Sequence, residues 1–239
     1  MTSSSAPMSG DLASRLAQLT PAQRELLERK LREAGVDSPI GAATAATASV
    51  QGTSRVAPRT TSAPAPLTAA QELLWTLDQA MPGLPAYNVP RLLRIEGPLD
   101  VAALQRALDG LVLRHEALRT RFVATLEGPR QLADAGTAVP LDTVDVRALP
   151  DAGRTMASDR AIAAAARVAF DLAHDVLLRA TLVREADERW RLLLLTHHIV
   201  SDEASRGIML RELSTLYAAA LEGRAATLPP LPIQFADYA

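Results

Sequence analysis

From Leu67 onward the apolar positions alternate between two periods, one helical and one extended. Leu104, Leu108, Leu111 and Val112 recur at 3.6-residue spacing and predict a helix over 99–115, with Asp100 near its start. Further helices are predicted over 68–81, 155–168 (alanine-rich) and 203–222. The last carries Ile208, Leu210, Leu213, Leu216 and Leu221 on its apolar positions and stops at Gly223. Strands are predicted over 89–96 and 119–126, with less regular pieces within 130–145. Runs over 179–186 and 189–197 are joined by Ala186-Asp187-Glu188, a short polar connection that reads as a hairpin. Strands and helices interleave without a clean βαβ repeat, which points to an α/β sandwich with a mixed sheet.

Upstream of this body the pattern changes twice. Residues 10–35 read as a helical pair: Leu12, Leu16 and Leu19 share a face, and Thr20-Pro21 restarts a helix that carries Leu26, Leu27 and Leu31 to a stop at Gly35. Residues 36–66 are dominated by Ala, Thr, Ser, Pro and Gly without apolar periodicity, the composition of a flexible tether. The chain thus divides into 1–35, 36–66 and 67–239. Its final stretch, Leu228 to Ala239, is apolar and aromatic, and the expectation is that another half of the domain continues from it.

Composition narrows the function classes. A net charge of −2 gives no electrostatic reason to expect nucleic acid or an anionic membrane as partner. The absence of cysteine removes disulfides, thiolate nucleophiles and Cys-based zinc sites. No apolar run reaches the roughly 18 residues of a membrane span, and the N-terminus lacks signal-peptide blocks, so the expected compartment is the cytoplasm.

Chemistry concentrates where the run Trp190–Thr196 ends at His197-His198, with Asp202 four positions beyond the second imidazole. Half of the four histidines stand here. An imidazole at the exit of a buried strand can exchange protons near neutral pH from a rigid support. Adjacent strand side chains point to opposite faces, so if the strand continues that far His197 is expected to face away from His198 and to be structural. That divergence also counts against a metal site, and neither His115 nor His174 has ligand-like spacing, so no metal is expected. Asp202 is an N-cap candidate for the last helix, with Ser201 as its competitor.

His197-His198-Ile199-Val200-Ser201-Asp202 resembles the HHxxxD core of the condensation domains of nonribosomal peptide synthetases. Leu67-Thr68-Ala69-Ala70-Gln71-Glu72-Leu73-Leu74-Trp75 resembles that family's opening motif, and Arg114–Phe122 resembles RHExLRTxF. Phe170-Asp171-Leu172 with Leu177–Ala180 resembles a third motif, and Ile233–Ala239 the start of a later one, all in family order.

The resemblance implies the chloramphenicol acetyltransferase-like fold, a two-layer sandwich with a mixed sheet. Residues 67–239 would be the N-terminal lobe of a two-lobed condensation domain, inactive without its C-terminal lobe. It implies amide-bond formation for antibiotic or secondary-metabolite synthesis: an acceptor amine attacks a donor acyl thioester, both carried on 4'-phosphopantetheine arms of donor and acceptor carrier proteins. No cofactor is bound by the lobe itself. His198 is the candidate catalytic group. His197 and Asp202 are structural support, with Asp202 an ion-pair partner of Arg119 or, as second choice, Arg114. His115 is expected to cap or pack its helix end and His174 to be solvated. Glu203 stands where the family usually has glycine, so it is a possible modulator of the imidazole, or harmless at a helix N-terminus. Thr20-Pro21-Ala22-Gln23-Arg24-Glu25-Leu26-Leu27 is similar to short helical segments that precede condensation domains, some of which dock an upstream synthase subunit, so residues 10–35 are either such a docking element or a helix hairpin with no partner-binding role. The competing readings are a non-catalytic carrier-protein or subunit docking module with a degenerate condensation fold, and, more weakly, a free-standing acyltransferase using coenzyme A.

Overall fold

The computed structural model describes residues 56–239, apart from Ser62 and Thr137. The helical pair over 10–35 and most of the tether over 36–66 lie outside the described residues.

The longest apolar runs build a four-stranded sheet. Strands β2 (Asn88–Glu96), β5 (Leu141–Asp145), β6 (Leu178–Ala186) and β7 (Arg189–His197) stand in the order β2-β7-β6-β5. β2, β7 and β6 pair antiparallel, whereas β5 runs parallel to β6, so the sheet is mixed. β7 is central, and this explains its composition: a strand covered on both faces needs apolar side chains at consecutive positions, and Leu192 to Leu195 are all at most 1% exposed.

Alternation divides these residues between two layers. Leu178, Ala180, Leu182, Trp190, Leu192 and Leu194 meet helices α2 (Val101–Arg114) and α4 (Glu203–Leu221). Val183 and Leu193 point the other way, onto Val146, Ile162 and the alanines of α3 (Asp151–Ala166). The short side chains Ala157, Ala161, Ala165 and Ala166 let α3 lie close to the sheet. Asn88 ties β2 to this layer by donating its amide to the carbonyls of Ala166 (2.9 Å) and Val168 (3.0 Å), orphan acceptors at the end of α3.

α2 and α4 pack antiparallel. The Asp100 N–H donates to Tyr217 Oη (3.0 Å) at one end of the pair, and Arg114 Nε donates to Glu212 (3.0 Å) at the other. Between them Gly110 lets the backbones approach, because a Cβ there would stand 3.2 Å from Leu216 Cδ2. Gly110→Val should therefore cost about 1–3 kcal/mol of stability through overpacking. Urea denaturation would measure it, and an unchanged midpoint would refute the close-packed crossing.

A second sheet of three strands, order β1-β4-β3, comprises β1 (Ala65–Pro66), β3 (Thr120–Thr125) and β4 (Gly128–Ala133). β1 corrects the tether's downstream limit. Ala65 and Pro66 pair with Gln131 and Arg130, and Gln131 Nε2 donates to the Pro66 carbonyl (2.8 Å). Arg59 further binds the carboxylates of Glu116 and Asp237. The described end of 36–66 is thus part of the fold, held by main-chain pairing and ion pairs that leave no trace in apolar periodicity.

Residues 68–82 form a separate unit containing α1 (Ala69–Ala80). It opens on a capping box, in which Thr68 Oγ1 accepts from the Gln71 N–H and the Gln71 side chain accepts from the Thr68 N–H. Among the described residues no helix is long and apolar enough to cross a membrane.

Candidate functional site

β7 ends on the first imidazole, and the turn that follows it carries the second. His197 is the last strand residue, opposite Asn88, and only 3% exposed. Its ring lies against Tyr87 and Phe170, each 6.2 Å between centroids. Phe170 is in turn covered by the guanidinium of Arg179, 4.3 Å from the ring centre. His197 Nδ1 accepts the Ile199 N–H (3.1 Å), which requires the unprotonated nitrogen there. Burial, reinforced by the neighbouring His198, pushes the His197 pKa down from 6.5 to about 4. His197 is therefore a neutral packing group at physiological pH.

His198 is exposed. Its backbone N–H donates to the Tyr87 carbonyl (2.9 Å), and its Nδ1 lies 2.7 Å from the Ser201 carbonyl. A carbonyl only accepts, so Nδ1 carries the proton, and in the neutral ring Nε2 then holds the lone pair. Among the described residues nothing hydrogen-bonds Nε2. The turn that arranges this is secured residue by residue: the His197 carbonyl accepts from the Val200 N–H (3.1 Å) and from Ser201 Oγ (3.1 Å).

Asp202 caps α4. Its carboxylate accepts from the Ser205 N–H (2.8 Å) and Ser205 Oγ (2.5 Å), and these bonds hold its pKa below the ordinary value. The Arg119 pairing implied by the resemblance is not formed. Arg119 ends a 3-10 turn over Glu116–Arg119 and points along β4, where it binds the Asp134 carbonyl and approaches Glu116 (3.7 Å). Arg114, the second choice, serves Glu212 and the Pro229 carbonyl (2.6 Å). Asp202 is committed to its own helix, as the N-cap argument allowed. Asp202→Ala should cost about 1 kcal/mol, within the 0.5–2 kcal/mol range of lost caps, measurable by denaturant titration. A loss near zero would argue against the cap.

Glu203 opens α4 and pairs with Arg206 one turn along, its side chain 85% exposed. The paired carboxylate stands at the positive end of the helix, a favourable place for it. His115 follows α2 and brings Nε2 to 2.6 Å from Glu212. Burial raises the Glu212 pKa, but the bonds from His115 and Arg114 outweigh it and hold the carboxyl below its usual value. His174 is exposed in a turn beside Asp171 (2.9 Å). No group of three or more potential ligands for a metal occurs among the described residues.

Beside the turn lies a cavity of about 280 Å³ whose lining includes Val200, Ser201, Ser205, Arg206, Met209 and Phe235. The terminal segment that helps to enclose it is anchored through Gln234: its Nε2 donates to the Arg114 carbonyl (3.1 Å) and its Oε1 accepts from the Glu116 N–H (3.1 Å).

A family model described as the condensation domain matches residues 62–239. The chain belongs to the condensation-domain family. The matched region begins at 62, ahead of the expected 67, consistent with the ordered β1. Among curated proteins the chain is 44% identical over 232 residues to phosphinothricin tripeptide synthetase PhsC of Streptomyces viridochromogenes, covering 96% of this chain and 20% of that protein. Among solved structures it resembles a chain in the complex of the X-domain and OxyB from teicoplanin biosynthesis (TM-score 0.69, 31% identity), covering 78% of this chain and 39% of that one. It also resembles the first condensation domain of the calcium-dependent antibiotic synthetase in complex with a substrate analogue (TM-score 0.64, 29% identity), covering 70% and 40%. The chain thus spans about a fifth of that curated relative and about two fifths of these solved chains.

Sequence reasoning missed the contacts of four residues at the candidate site. Phe170 stood in a quoted motif but without an assigned contact. Tyr87 lies in a 3-10 turn, Pro85–Tyr87, that no periodicity announces. Thr196 and Ser201 are ordinary hydroxyl residues whose partners become visible only when the turn is closed.

Proposed function

We propose that this chain supplies the His198-bearing lobe of a nonribosomal peptide synthetase condensation domain that forms amide bonds between carrier-bound substrates. The observation that carries the reading is the pair of opposite imidazole environments: His197 sealed and neutral, His198 exposed with Nδ1–H tied back and no hydrogen-bond partner on Nε2 among the described residues. In the reaction the acceptor amine nitrogen attacks the donor thioester carbon. A C–N bond forms and the C–S bond breaks. The proton shed by the amine passes through Nε2 of His198 toward the departing sulfur, leaving an amide and a thiol. The substrates arrive on 4'-phosphopantetheine arms of donor and acceptor carrier proteins. Thioesters are already activated, so alignment supplies more of the acceleration than proton transfer does: positioning is worth about 7–11 kcal/mol, base catalysis roughly 10²–10⁴-fold.

The test is a reconstitution of the full synthetase containing this chain with loaded donor and acceptor carriers, read by mass spectrometry of the acceptor arm. The expected product is the amide-linked thioester, and its absence with both carriers loaded would contradict the proposal. A second reading, a docking module on a condensation fold, is favoured by the likeness to an X-domain solved in complex with OxyB. Partner binding without any amide product would select it. Docking of an upstream subunit through residues 10–35 and a cytoplasmic location belong to the same synthetase reading. Deleting 10–35 should weaken assembly with the upstream subunit while leaving condensation of directly supplied carriers intact.

A further inference from the structure

Thr196 and Ser201 are both buried, at 1% and 7% exposure, and their hydroxyl oxygens lie 2.7 Å apart. Ser201 Oγ also lies 3.1 Å from the His197 carbonyl. A carbonyl only accepts, so the Ser201 hydroxyl proton goes to His197 O and the Thr196 hydroxyl donates to Ser201 Oγ. The result is a directed relay, Thr196 Oγ1–H to Ser201 Oγ–H to His197 O, that closes the turn from the last strand residues to the residue before the helix cap. The backbone oxygen of Ser201, on the same residue, receives His198 Nδ1–H.

We infer that Thr196 and Ser201 are positioning residues, and that their hydroxyl pair holds the Ser201 carbonyl where it fixes the tautomer and direction of the His198 ring. This rests on the proposed role of His198 and names the residues that keep its Nε2 available. Three features support it beyond simple packing. The two hydroxyls satisfy each other while both are buried, where an unpaired one is costly. The relay spans the two residues that it must orient. The carbonyl it fixes is the sole hydrogen-bond partner of the imidazole side chain among the described residues.

The experiment combines two readouts in the full synthetase: ¹⁵N NMR of the His198 ring and steady-state condensation of loaded carriers. Ser201→Ala and Thr196→Val, which is nearly isosteric, should shift His198 from the Nδ1–H form toward a mixture of tautomers. Each should lower kcat about ten-fold with little change in KM, since a misplacement of about 1 Å can cost on the order of 10²-fold. Ser201→Thr, which keeps the hydroxyl, should restore both. The double variant should lose no more than the worse single one, since the two hydroxyls act as one unit. An unchanged tautomer spectrum in Ser201→Ala would overturn the inference whatever the rate. A shifted spectrum with full turnover in both Ser201→Ala and His198→Ala would instead overturn the catalytic reading.

Discussion

His198→Ala in the full synthetase should lower amide formation by about 10²–10⁴-fold while leaving stability nearly unchanged. The side chain is exposed and, among the described residues, makes one hydrogen bond, to the Ser201 carbonyl, so its removal opens no core cavity. The loss should fall on kcat, since the carrier arms would still bind, and the remaining rate should be set by the alignment of two tethered reactants. Product formed per minute by intact-carrier mass spectrometry is the measurement, with circular dichroism to confirm folding. Residual activity near the lower bound would mean that His198 orients the amine more than it takes its proton. Wild-type activity would remove it from the mechanism.

The second large effect is a pH dependence that belongs to the neighbouring ring. His197 has a folded-state pKa of about 4 against 6.5 for the free side chain. Between these values the unfolded chain binds a proton that the folded chain refuses, so stability rises with pH across the window. His197's contribution is fully present above pH 6.5 and is lost as pH falls toward 4. At 1.36 kcal/mol per pH unit the loss is about 3 kcal/mol, a large share of a domain's stability. Asp202 and Glu212 have lowered values and act in a more acidic window, so they do not produce this slope. Chemical denaturation from pH 4 to 7.5 would measure it. His197→Asn keeps an acceptor near the Nδ1 position but does not titrate, so its curve should run flatter over that interval. Parallel curves for the two proteins would contradict the assignment.

The layered body was largely legible because its signals are dense. β6 and β7 combine continuous apolar runs with a polar hairpin, and α2 and α4 repeat leucines at helical spacing. Their observed limits fall within a few residues of the expected ones. What escaped was structure held by single contacts. β1 is two residues paired to β4, the 3-10 turns carry no period, and the terminal turn Phe235–Tyr238 is held through Gln234 and Asp237.

The site shows the same division. That His197 packs inside while His198 does not could be read in part from their place at the exit of a buried run, although β7 ends at His197 and His198 stands in the turn after it, beyond strand alternation. The Asp202 pairing could not. A carboxylate before a helix has both a local partner, the Ser205 N–H one turn on, and distant arginines. The local bond costs less chain entropy, and here it wins while Arg119 turns to Asp134. Glu203, from the sequence either a possible modulator of the imidazole or harmless at the helix N-terminus, pairs with Arg206 on the same helix.

Chemical footprinting tests the central claim most directly. Diethyl pyrocarbonate acylates accessible, unprotonated imidazole nitrogens, and peptide mapping of the full synthetase would locate the modification. The account predicts rapid labelling of His198 with His197 spared, loss of amide formation in proportion to that labelling, and protection of His198 when the aminoacyl-loaded acceptor carrier is bound. Complete labelling of His198 with amide formation intact would contradict it.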